Sequence, residues 1–405
     1  MPNDIHTQNK KLVAQLRDAL YNYTSDGVQS ALEQTFHHQA KVFLSYPFES
    51  LDGCHGLYEK AFSPLAKAIP DLERRDTIVI AGTTDKNSHW VGCCGYYTGT
   101  FVYPWLDIPP SGHHVAMRFH EFYRIENAKI VEMQALWDIP EVMMQANAWP
   151  MTPSLGREWQ VPGPAPQNGL VPGPVDTERT TTSLKIVLDM VIDLGHYATG
   201  GVEAMCLPDH WHPRFSWYGP AGIGSCRGVT GFRNRHQIPF LNAMPNRTNL
   251  LDKGNLFADG DFVAFTAWPG MKAKVTEDGW LGIAPSGKEI TMRSLDFWRC
   301  ENGVIRENWV LVDILDIYNQ LGVDVFARLR ELNKPGWTQA AKGATQVNHP
   351  TVFESSFSKG LINEKQIGQL PKGTTLVKLG KRATVTALAR DKAQKLGIKI
   401  ERVAR

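Results

Sequence analysis

An internal repeat constrains the fold of this chain more than any other feature of its sequence. Residues 108–112 (Ile-Pro-Pro-Ser-Gly) recur as residues 283–287 (Ile-Ala-Pro-Ser-Gly), a shift of 175 positions. The same shift, without gaps, relates many identical pairs: Gly53 and Gly228, Pro64 and Pro239, Trp105 and Trp280, Met117 and Met292, Arg124 and Arg299, Glu132 and Glu307, Asp138 and Asp313, and Gln145 and Gln320. A constant register over this length indicates a duplication. The sequence therefore predicts two copies of one domain type.

Each copy has the pattern of helices followed by strands. Leu12, Leu16 and Leu20 lie at helical spacing near the start of the first copy, whereas later segments such as residues 77–80 and 262–265 are typical of strands. The last two strands of each copy are predicted to form a hairpin. In the second copy its turn is Asn302-Gly303, a pair that favours a two-residue type I′ turn. Helices before meandering strands predict the α+β class.

Changes in composition divide the chain into four segments. Residues 1–149 are the first domain, the proline-rich residues 150–178 are a linker, residues 179–332 are the second domain, and residues 333–405 are a basic C-terminal appendage. Residues 351–405 carry twelve Lys or Arg against four Asp or Glu. One short helix is predicted there, with Thr386 as its N-cap and Gly397 as its stop.

The composition excludes several classes of protein. No apolar run reaches the ~18–20 residues that cross a bilayer, and the polar start lacks the apolar core of a signal peptide. We therefore expect a cytoplasmic protein without a membrane partner. The six cysteines form no CxxC pair, which argues against disulfides and a zinc site. Because the basic charge belongs to the appendage, no nucleic-acid partner is predicted for the main body.

The second copy closes with a group of motifs that resembles a known family. An arginine (Arg299) and a Gly turn (Gly303) precede the strand Ile305-x-Glu307-x-Trp309, Asp313 follows four residues after the tryptophan, and residues 320–322 are Gln-Leu-Gly. This combination is similar to the SnoaL-like polyketide cyclases. The first copy departs from the pattern, since Ala128 replaces the turn glycine, Gln134 replaces the tryptophan and residues 145–147 are Gln-Ala-Asn.

The resemblance implies a fold and a chemistry. The fold is the cone-shaped α+β barrel of the nuclear transport factor 2-like superfamily, in which a curved sheet wraps around helices and encloses an apolar pocket. Two such domains in tandem, followed by a small appendage, are expected. In the cyclases an aspartate acts as acid and base without a metal or another cofactor, and Asp313 and Asp138 match it. Fold alone does not give function.

Hairpin geometry predicts which residues share a face with these aspartates. If Asn302-Gly303 is a plain two-residue turn, residues whose numbers sum to 605 are opposite each other, and strand residues alternate between faces. The face of Asp313 then holds Asp296, Trp298 and Trp309. The face of Asp138 holds Glu121, Tyr123 and Gln134. A one-residue bulge would invert these assignments.

An aspartate in an apolar pocket is suited to proton transfer. Burial disfavours the charged form and raises the pKa of the carboxyl towards neutrality, which fits removal of a proton next to a carbonyl. Trp309 and Trp298 would pack the substrate, and Asp296 or a tyrosine would orient the reacting oxygen. His212, which matches His37 in the repeat, and His120 are further candidates for the pocket.

Structural roles compete with each of these interpretations. Aspartate is a leading N-cap residue, so Asp313 and Asp138 are also candidate helix caps. The histidines lack carboxylate or thiolate partners at ligand spacing, and no metal site is predicted.

Two functions follow from these residues. The first is a cofactor-free cyclase, isomerase or dehydratase (lyase) acting on a carbonyl-containing small molecule. The alternative is a non-catalytic binding or scaffold protein. An open pocket containing Asp313 would favour the enzyme, and one filled by Trp298 and Trp309 would favour the scaffold. The appendage is predicted to assemble a homo-oligomer.

Overall fold

The computed structural model describes residues 4–344, 353–371 and 374–402. The chain forms two compact units, Met1–Ala340 and Ala341–Arg405. The first unit contains both copies of the repeat, and the second contains the basic appendage. Each unit is described by itself below.

The first copy is a six-stranded sheet that wraps around helices. Its elements are α1 (Ile5–Tyr21), α2 (Ser25–Thr35), β1 (Phe36–Leu44), β2 (Glu49–Leu51), α3 (Gly53–Leu57), a π-helical segment (Tyr58–Phe62), α4 (Ser63–Ala68), β3 (Glu73–Thr83), β4 (His89–Thr100), β5 (His114–Glu126), β6 (Lys129–Trp137) and α5 (Ile139–Gln145). The strand order is β2-β1-β6-β5-β4-β3. β1 pairs with β6 in parallel, and the other pairs are antiparallel.

The second copy repeats this arrangement. Its elements are α6 (Thr177–Leu194), α7 (Tyr197–Gly200), α8 (Leu207–His210), β7 (Trp211–Tyr218), β8 (Cys226–Arg227), α9 (Gly228–Phe232), a π-helical segment (Arg233–Gln237), α10 (Ile238–Ala243), β9 (Thr248–Asn249), β10 (Asn255–Asp259), β11 (Phe262–Lys274), β12 (Glu289–Glu301), β13 (Val304–Val312), α11 (Ile314–Gln320) and α12 (Val325–Ala344), with short 3₁₀ turns at Glu203–Met205 and Leu251–Lys253. The strand order is β10-β11-β12-β13-β7-β8, and β9 also pairs with β11. The predicted α+β class and duplication are confirmed.

The hairpin of the second copy contains the bulge that decides which residues face inward. Asn302 and Gly303 have φ values of 52° and 81°, so the predicted type I′ turn is confirmed. Cys300 is opposite Ile305, but the next pair is Arg299 with Glu307. Arg306 is therefore an extra residue, and beyond it opposing residues sum to 606. The prediction that Trp309 shares a face with Asp296 is wrong for this reason.

The same bulge occurs in the first copy. Ile125 is opposite Ile130, and Arg124 is opposite Glu132, which leaves Val131 as the extra residue. Each hairpin therefore exchanges the faces of its second strand relative to the prediction.

The two sheets pack back to back. The residues that meet between them form an inter-sheet core, contributed by both copies: Ile78, Ile80, Trp90, Phe122 and Leu136 from the first, and Phe257, Phe262, Leu295, Phe297 and Trp309 from the second, among others. At its centre His120 Nδ1 lies 2.7 Å from the carbonyl oxygen of Leu295, its own repeat equivalent. The two copies therefore pack sheet against sheet within one chain.

The linker lies over both sheets. In the first copy, the Val79 N–H donates to Gly169 O at 2.8 Å and the Tyr96 hydroxyl donates to Val161 O at 3.0 Å. In the second, the Trp309 indole N–H donates to Pro162 O at 2.9 Å. Residues 150–176 contain no helix or strand, as their proline content predicts.

The second unit is a small parallel sheet with helical crossovers. Its elements are β14 (Phe353–Ile362), α13 (Glu364–Gly368), β15 (Thr374–Val385), α14 (Ala387–Lys395) and β16 (Lys399–Arg402), in the strand order β14-β15-β16. Thr386 caps α14 by accepting from the Ala389 N–H at 3.2 Å, and Gly397 has a φ of 69°. The predicted helix is confirmed. The parallel strands were not predicted.

Arg118 is a buried cation at the interface between the copies, and we expect its loss to destabilise the first unit strongly. Its guanidinium donates to the carbonyl oxygens of Tyr218 at 3.2 Å, Gly219 at 2.6 Å and Val310 at 3.2 Å. Arg118→Ala removes these three hydrogen bonds and leaves the buried carboxylate of Asp138, 3.5 Å from Nη2, without its cation. The free energy of unfolding, measured in urea, should fall by roughly 3–5 kcal/mol.

Arg124 on the same strand is the matched control. It is partly exposed and pairs with Glu132 at 3.0 Å. Arg124→Ala should cost less than about 1 kcal/mol. Equal losses of unfolding free energy in Arg118→Ala and Arg124→Ala would contradict the stabilising role of Arg118 at the interface between the copies.

Candidate active site

The second copy encloses an apolar cavity between its sheet and its helices. The cavity has a volume of about 250 Å³, near the lower end of the roughly 300–1,000 Å³ found for small-molecule sites. Seven phenylalanine and tryptophan side chains contribute to its wall: Trp211, Trp217, Phe232, Phe240, Phe265, Trp280 and Trp298. We call it the copy-two cavity.

Asp296 supplies the carboxyl group of this cavity. Met292, Ser294, Asp296 and Trp298 alternate along β12 and face inward, as the pleat of a strand requires. The Ser294 hydroxyl donates to Asp296 Oδ2 at 2.6 Å. Burial raises the pKa of Asp296 to about 7, opposed by the Ser294 hydrogen bond. The carboxyl therefore holds and releases a proton near neutral pH.

Three polar atoms on the cavity wall have no hydrogen-bond partner among the residues that the structure describes. They are Trp211 Nε1, His236 Nδ1 and Gln237 Oε1. The His236 ring stacks on Trp217 at 4.1 Å, and burial lowers the pKa of His236 to about 3. Its imidazole is thus neutral at physiological pH, where it can donate or accept a hydrogen bond.

In the first copy the equivalent acid is fully paired. Glu121, which corresponds to Asp296 in the repeat, accepts four hydrogen bonds, from Arg74 at 2.5 Å, Tyr97 at 2.9 Å, Tyr123 at 2.5 Å and Trp137 at 3.0 Å. All five side chains are buried. This arrangement fixes the carboxylate and leaves it no free acceptor position for a substrate.

Side-chain size explains why the cavity occurs in the second copy. Three large residues of the first copy are replaced at their repeat positions by smaller ones: Phe62 by Gln237, Phe119 by Ser294, and Trp137 by Val312. In the first copy the rings of Phe62 and Trp137 lie 5.6 Å apart and fill this region. In the second, the three smaller residues line the cavity.

Asp313 and Asp138 lie outside the copy-two cavity. Asp313 caps α11 by accepting from the Asp316 N–H at 3.2 Å, and it also accepts from the Tyr46 N–H of the other copy at 2.9 Å. Asp138 accepts from the Ala221 N–H at 2.9 Å, again across the interface. The prediction that they share the face of Asp296 and Glu121 is wrong, because the bulges turn them outward. Their predicted catalytic role stays a prediction.

Three other candidates also lie in or beside the interface rather than in a pocket. Trp309 packs against Tyr218, with ring centroids 5.4 Å apart. Gln134 accepts from the Thr266 hydroxyl of the second copy at 2.6 Å. His120 is fully buried and faces Leu295. The bulges place Trp309 and Gln134 on the sheet faces that meet between the copies. His120 lies on that face as well, because it precedes Glu121 by one residue and neighbouring strand residues point to opposite faces.

The remaining candidates divide between the inner face and the surface. Trp298 lines the copy-two cavity, and Tyr123 faces inward in the first copy, where it binds Glu121. His212 is directed away from the cavity, which its neighbour Trp211 lines instead. Its Nδ1 accepts from the Arg214 N–H at 3.0 Å. The expected pocket position of His212 is therefore wrong.

Sequence reasoning missed Ser294, His236, Gln237 and Trp211. The repeat contains a usable signal for two of them, since Ser294 and Gln237 stand where the first copy has Phe119 and Phe62. Loss of two aromatic rings at equivalent positions indicates lost core volume.

In the described part of the chain, no group of three or more His, Cys, Asp or Glu could hold a metal ion. None of the described helices is long and apolar enough to cross a membrane.

Residues 11–146 and 203–321 match the family model of the SnoaL-like polyketide cyclases. The two segments fall one in each copy and together cover more than half of the chain. The chain belongs to the SnoaL-like polyketide cyclase family. The resemblance noted in the hairpin motifs is confirmed.

Several solved structures are similar to parts of this SnoaL-like protein. A candidate SnoaL-like polyketide cyclase of Jannaschia sp. CCS1 has 24% identity over 36% of this chain and 96% of its own, with a TM-score of 0.31. IdmH, a candidate polyketide cyclase of Streptomyces antibioticus, has 16% identity over 35% and 99%, with a TM-score of 0.30. TsrD of Streptomyces laurentii has 17% identity over 34% and 94%, with a TM-score of 0.29. No curated protein matches the sequence.

The raised pKa of Asp296 predicts a pH-dependent stability of this SnoaL-like protein. The native state keeps the proton of Asp296 up to about pH 7, whereas an unfolded aspartate loses it near pH 4. Stability should therefore fall as pH rises through this window. Asp296→Asn removes the cost of ionising the buried carboxyl, about 4 kcal/mol at most for a shift of about three pKa units.

Urea unfolding at pH 5 and pH 8 checks this expectation. The stability of Asp296→Asn relative to wild type should be greater at pH 8 than at pH 5. An identical difference at both pH values would show that Asp296 titrates normally.

Proposed function

We propose that the second copy is a cofactor-free cyclase or isomerase in which Asp296 transfers a proton next to a carbonyl group. The observation that carries this proposal is the position of Asp296. It is the acidic residue on the wall of the copy-two cavity, and it has a serine hydroxyl and no cation as its hydrogen-bond partner within the described residues. A pKa near the working pH is the property that an acid/base catalyst needs.

The proton can be followed through an intramolecular aldol closure. Ionised Asp296 takes a proton from the carbon next to one substrate carbonyl, which leaves an enolate. The enolate carbon forms a bond to the carbon of a second carbonyl, whose oxygen becomes an alkoxide. Protonated Asp296 then gives its proton to that alkoxide, and the carboxylate is restored. Stopping after the enolate and returning the proton to another atom gives an isomerisation.

Neutral donors on the wall can stabilise the developing oxygen charge. Trp211 Nε1 carries an N–H that has no acceptor in the described ranges, and the neutral imidazole of His236 carries one N–H. Such donors act strongly where water is excluded. The aromatic wall of the cavity supplies that exclusion. We assign Trp211 and His236 to this role.

The first copy has a supporting role in this proposal. Glu121 is held by four donors and Phe62, Tyr97, Phe119 and Trp137 fill its interior, which favours the scaffold alternative for this copy alone. Its sheet covers the outer face of the catalytic sheet through the inter-sheet core. In this proposal the second copy binds the substrate, and the first copy buries the outer face of the second copy's sheet.

Turnover by two conservative variants tests the choice of aspartate. Asp296→Asn keeps the shape of the side chain but cannot exchange a proton, so activity on a panel of 1,5-diketones and β-keto esters should fall by roughly 10²–10⁴-fold. Asp313→Asn keeps most capping ability and should retain activity per folded molecule. The reverse result would restore Asp313 as the catalyst, and activity in both variants would reject acid/base catalysis by either residue.

A pH profile distinguishes a catalytic Asp296 from a merely structural one. The rate at low substrate should rise with pH through about 7, because the ionised carboxyl is the base. Ser294→Ala removes the hydrogen bond that lowers the pKa of Asp296, so the midpoint of the profile should move to higher pH. A midpoint that does not move would show that another group sets the profile.

A substitution that fills the cavity tests whether the reaction occurs there while Asp296 is left unchanged. Val312→Trp reproduces the side chain that the first copy has at this position. The larger ring should occupy the cavity and raise KM strongly or abolish turnover, while the fold tolerates it as Trp137 is tolerated in the first copy. Full activity of a folded Val312→Trp variant would place the reaction elsewhere.

A further inference from the structure

Arg247 is a cation on the wall of the copy-two cavity. It follows α10 and precedes β9, and it is half-buried. Its guanidinium carbon lies 4.8 Å from the centre of the Tyr197 ring, and Nη2 is 3.5 Å from the carbonyl oxygen of Leu194. None of the carboxylates in the described ranges comes within ion-pair distance of it.

This lack of an acidic partner sets Arg247 apart from the other buried arginines. Arg74, Arg118, Arg293 and Arg299 each pair with an aspartate or glutamate, and these acids raise their pKa values. Burial instead lowers the pKa of Arg247. A guanidinium stays charged even so, and removing an unpaired charge from water is unfavourable.

The fold itself does not require an arginine at this position. The repeat equivalent in the first copy is Leu72, which is 4% exposed and packs in the core. The second copy therefore carries a charged group where an apolar one suffices for packing. A group that is costly for stability and lies on a cavity wall indicates a binding role.

We propose that Arg247 binds a carboxylate of the substrate, so that the site takes an apolar keto acid rather than an ester or a neutral ketone. The planar guanidinium fork matches a carboxylate through two parallel hydrogen bonds. One unpaired cation balances one negative charge, which favours a carboxylate over a doubly charged phosphate. The keto part of this assignment rests on the proposed function; the carboxylate part rests on Arg247 alone.

Arg247 and Asp296 lie at separate parts of the cavity. Thr248, the neighbour of Arg247, pairs with Lys272 of β11, which is opposite Thr291 of β12, whereas Asp296 lies five residues further along β12, opposite Phe265. Between them the wall is apolar and includes Phe265, Met271 and Met292. The bound molecule therefore has its carboxylate at one end, its reacting carbon near Asp296 and an apolar body between the two.

Direct binding of matched probes tests the assignment without any turnover. The probes are 4-oxo-4-phenylbutanoate, its methyl ester, and the phosphonate analogue of the same length, titrated by calorimetry at pH 7.5 into the full chain. The wild-type protein should bind the acid about 10–100-fold more tightly than the ester, as a charged hydrogen-bonded pair predicts. Tighter binding of the phosphonate than of the acid would overturn the choice of carboxylate.

Variants of Arg247 identify the group responsible. Arg247→Gln should lower the affinity for the acid to that for the ester and leave the ester affinity unchanged. Arg247→Lys keeps the charge without the fork and should fall between the two. Arg235→Gln is the control, because Arg235 is exposed and directly precedes the cavity residue His236. This substitution removes the same charge as Arg247→Gln, but the variant should bind both probes as the wild type does.

The outcomes separate this proposal from the proposed function. The titrations are repeated in Asp296→Asn, which cannot transfer a proton. If this variant still binds the acid more tightly than the ester, the role of Arg247 holds even where turnover is absent. Equal affinity for acid and ester in wild type, no detectable binding of the acid, or an equal loss for both probes in a folded Arg247→Gln variant would each overturn the role of Arg247.

Discussion

The packing of two sheets back to back is the constraint on which the rest of this structure depends. Asp138 accepts from the Ala221 N–H, and Asp313 accepts from the Tyr46 N–H. Position 221 is the repeat equivalent of position 46, so these are one contact made twice about a local two-fold axis, at whose centre His120 meets Leu295. Because a strand presents alternate residues to opposite faces, committing one face of each hairpin to the interface leaves the other for chemistry.

This division explains why the aspartates that match the family motif are not in the cavity. A carboxylate that accepts backbone N–H groups from the opposite copy is needed to satisfy those donors, since buried amides without partners are costly. Asp313 also caps α11. Burial raises the pKa of Asp313 to about 7, as it does that of Asp296, so the position of Asp296 on the cavity wall, and not its pKa, distinguishes the two acids. The distinction depends on a single bulged residue, Arg306.

The same bulge marks the limit of prediction from sequence. Repeat spacing, helical periodicity and the Asn302-Gly303 turn predicted the duplication, the α+β class and the hairpin, because each is a local pattern with its own physical cause. Arg306 has no such signature, since any residue can occupy a bulge of this kind. One extra residue exchanges the faces of β13 relative to β12, and Trp309 therefore packs between the sheets while Trp298 lines the cavity. The residues that close the site from the helical side, such as His236, come together only through tertiary packing.

Comparison of the two inner faces shows how a duplication separates stability from binding. Glu121 is surrounded by four donors, and its copy is filled by aromatic rings, which is the arrangement that favours the folded state. Among the residues that the structure describes, Asp296 has one side-chain donor, Arg247 has no carboxylate partner, and three large side chains of the first copy are replaced by smaller ones. Each of these features is unfavourable for folding on its own, and together they make a polar-ended apolar cavity. The filled copy packs its whole outer sheet against the cavity-bearing one through the inter-sheet core, and this shared burial can offset the cost. A single-copy protein with the same open site would have to obtain that burial from a second chain.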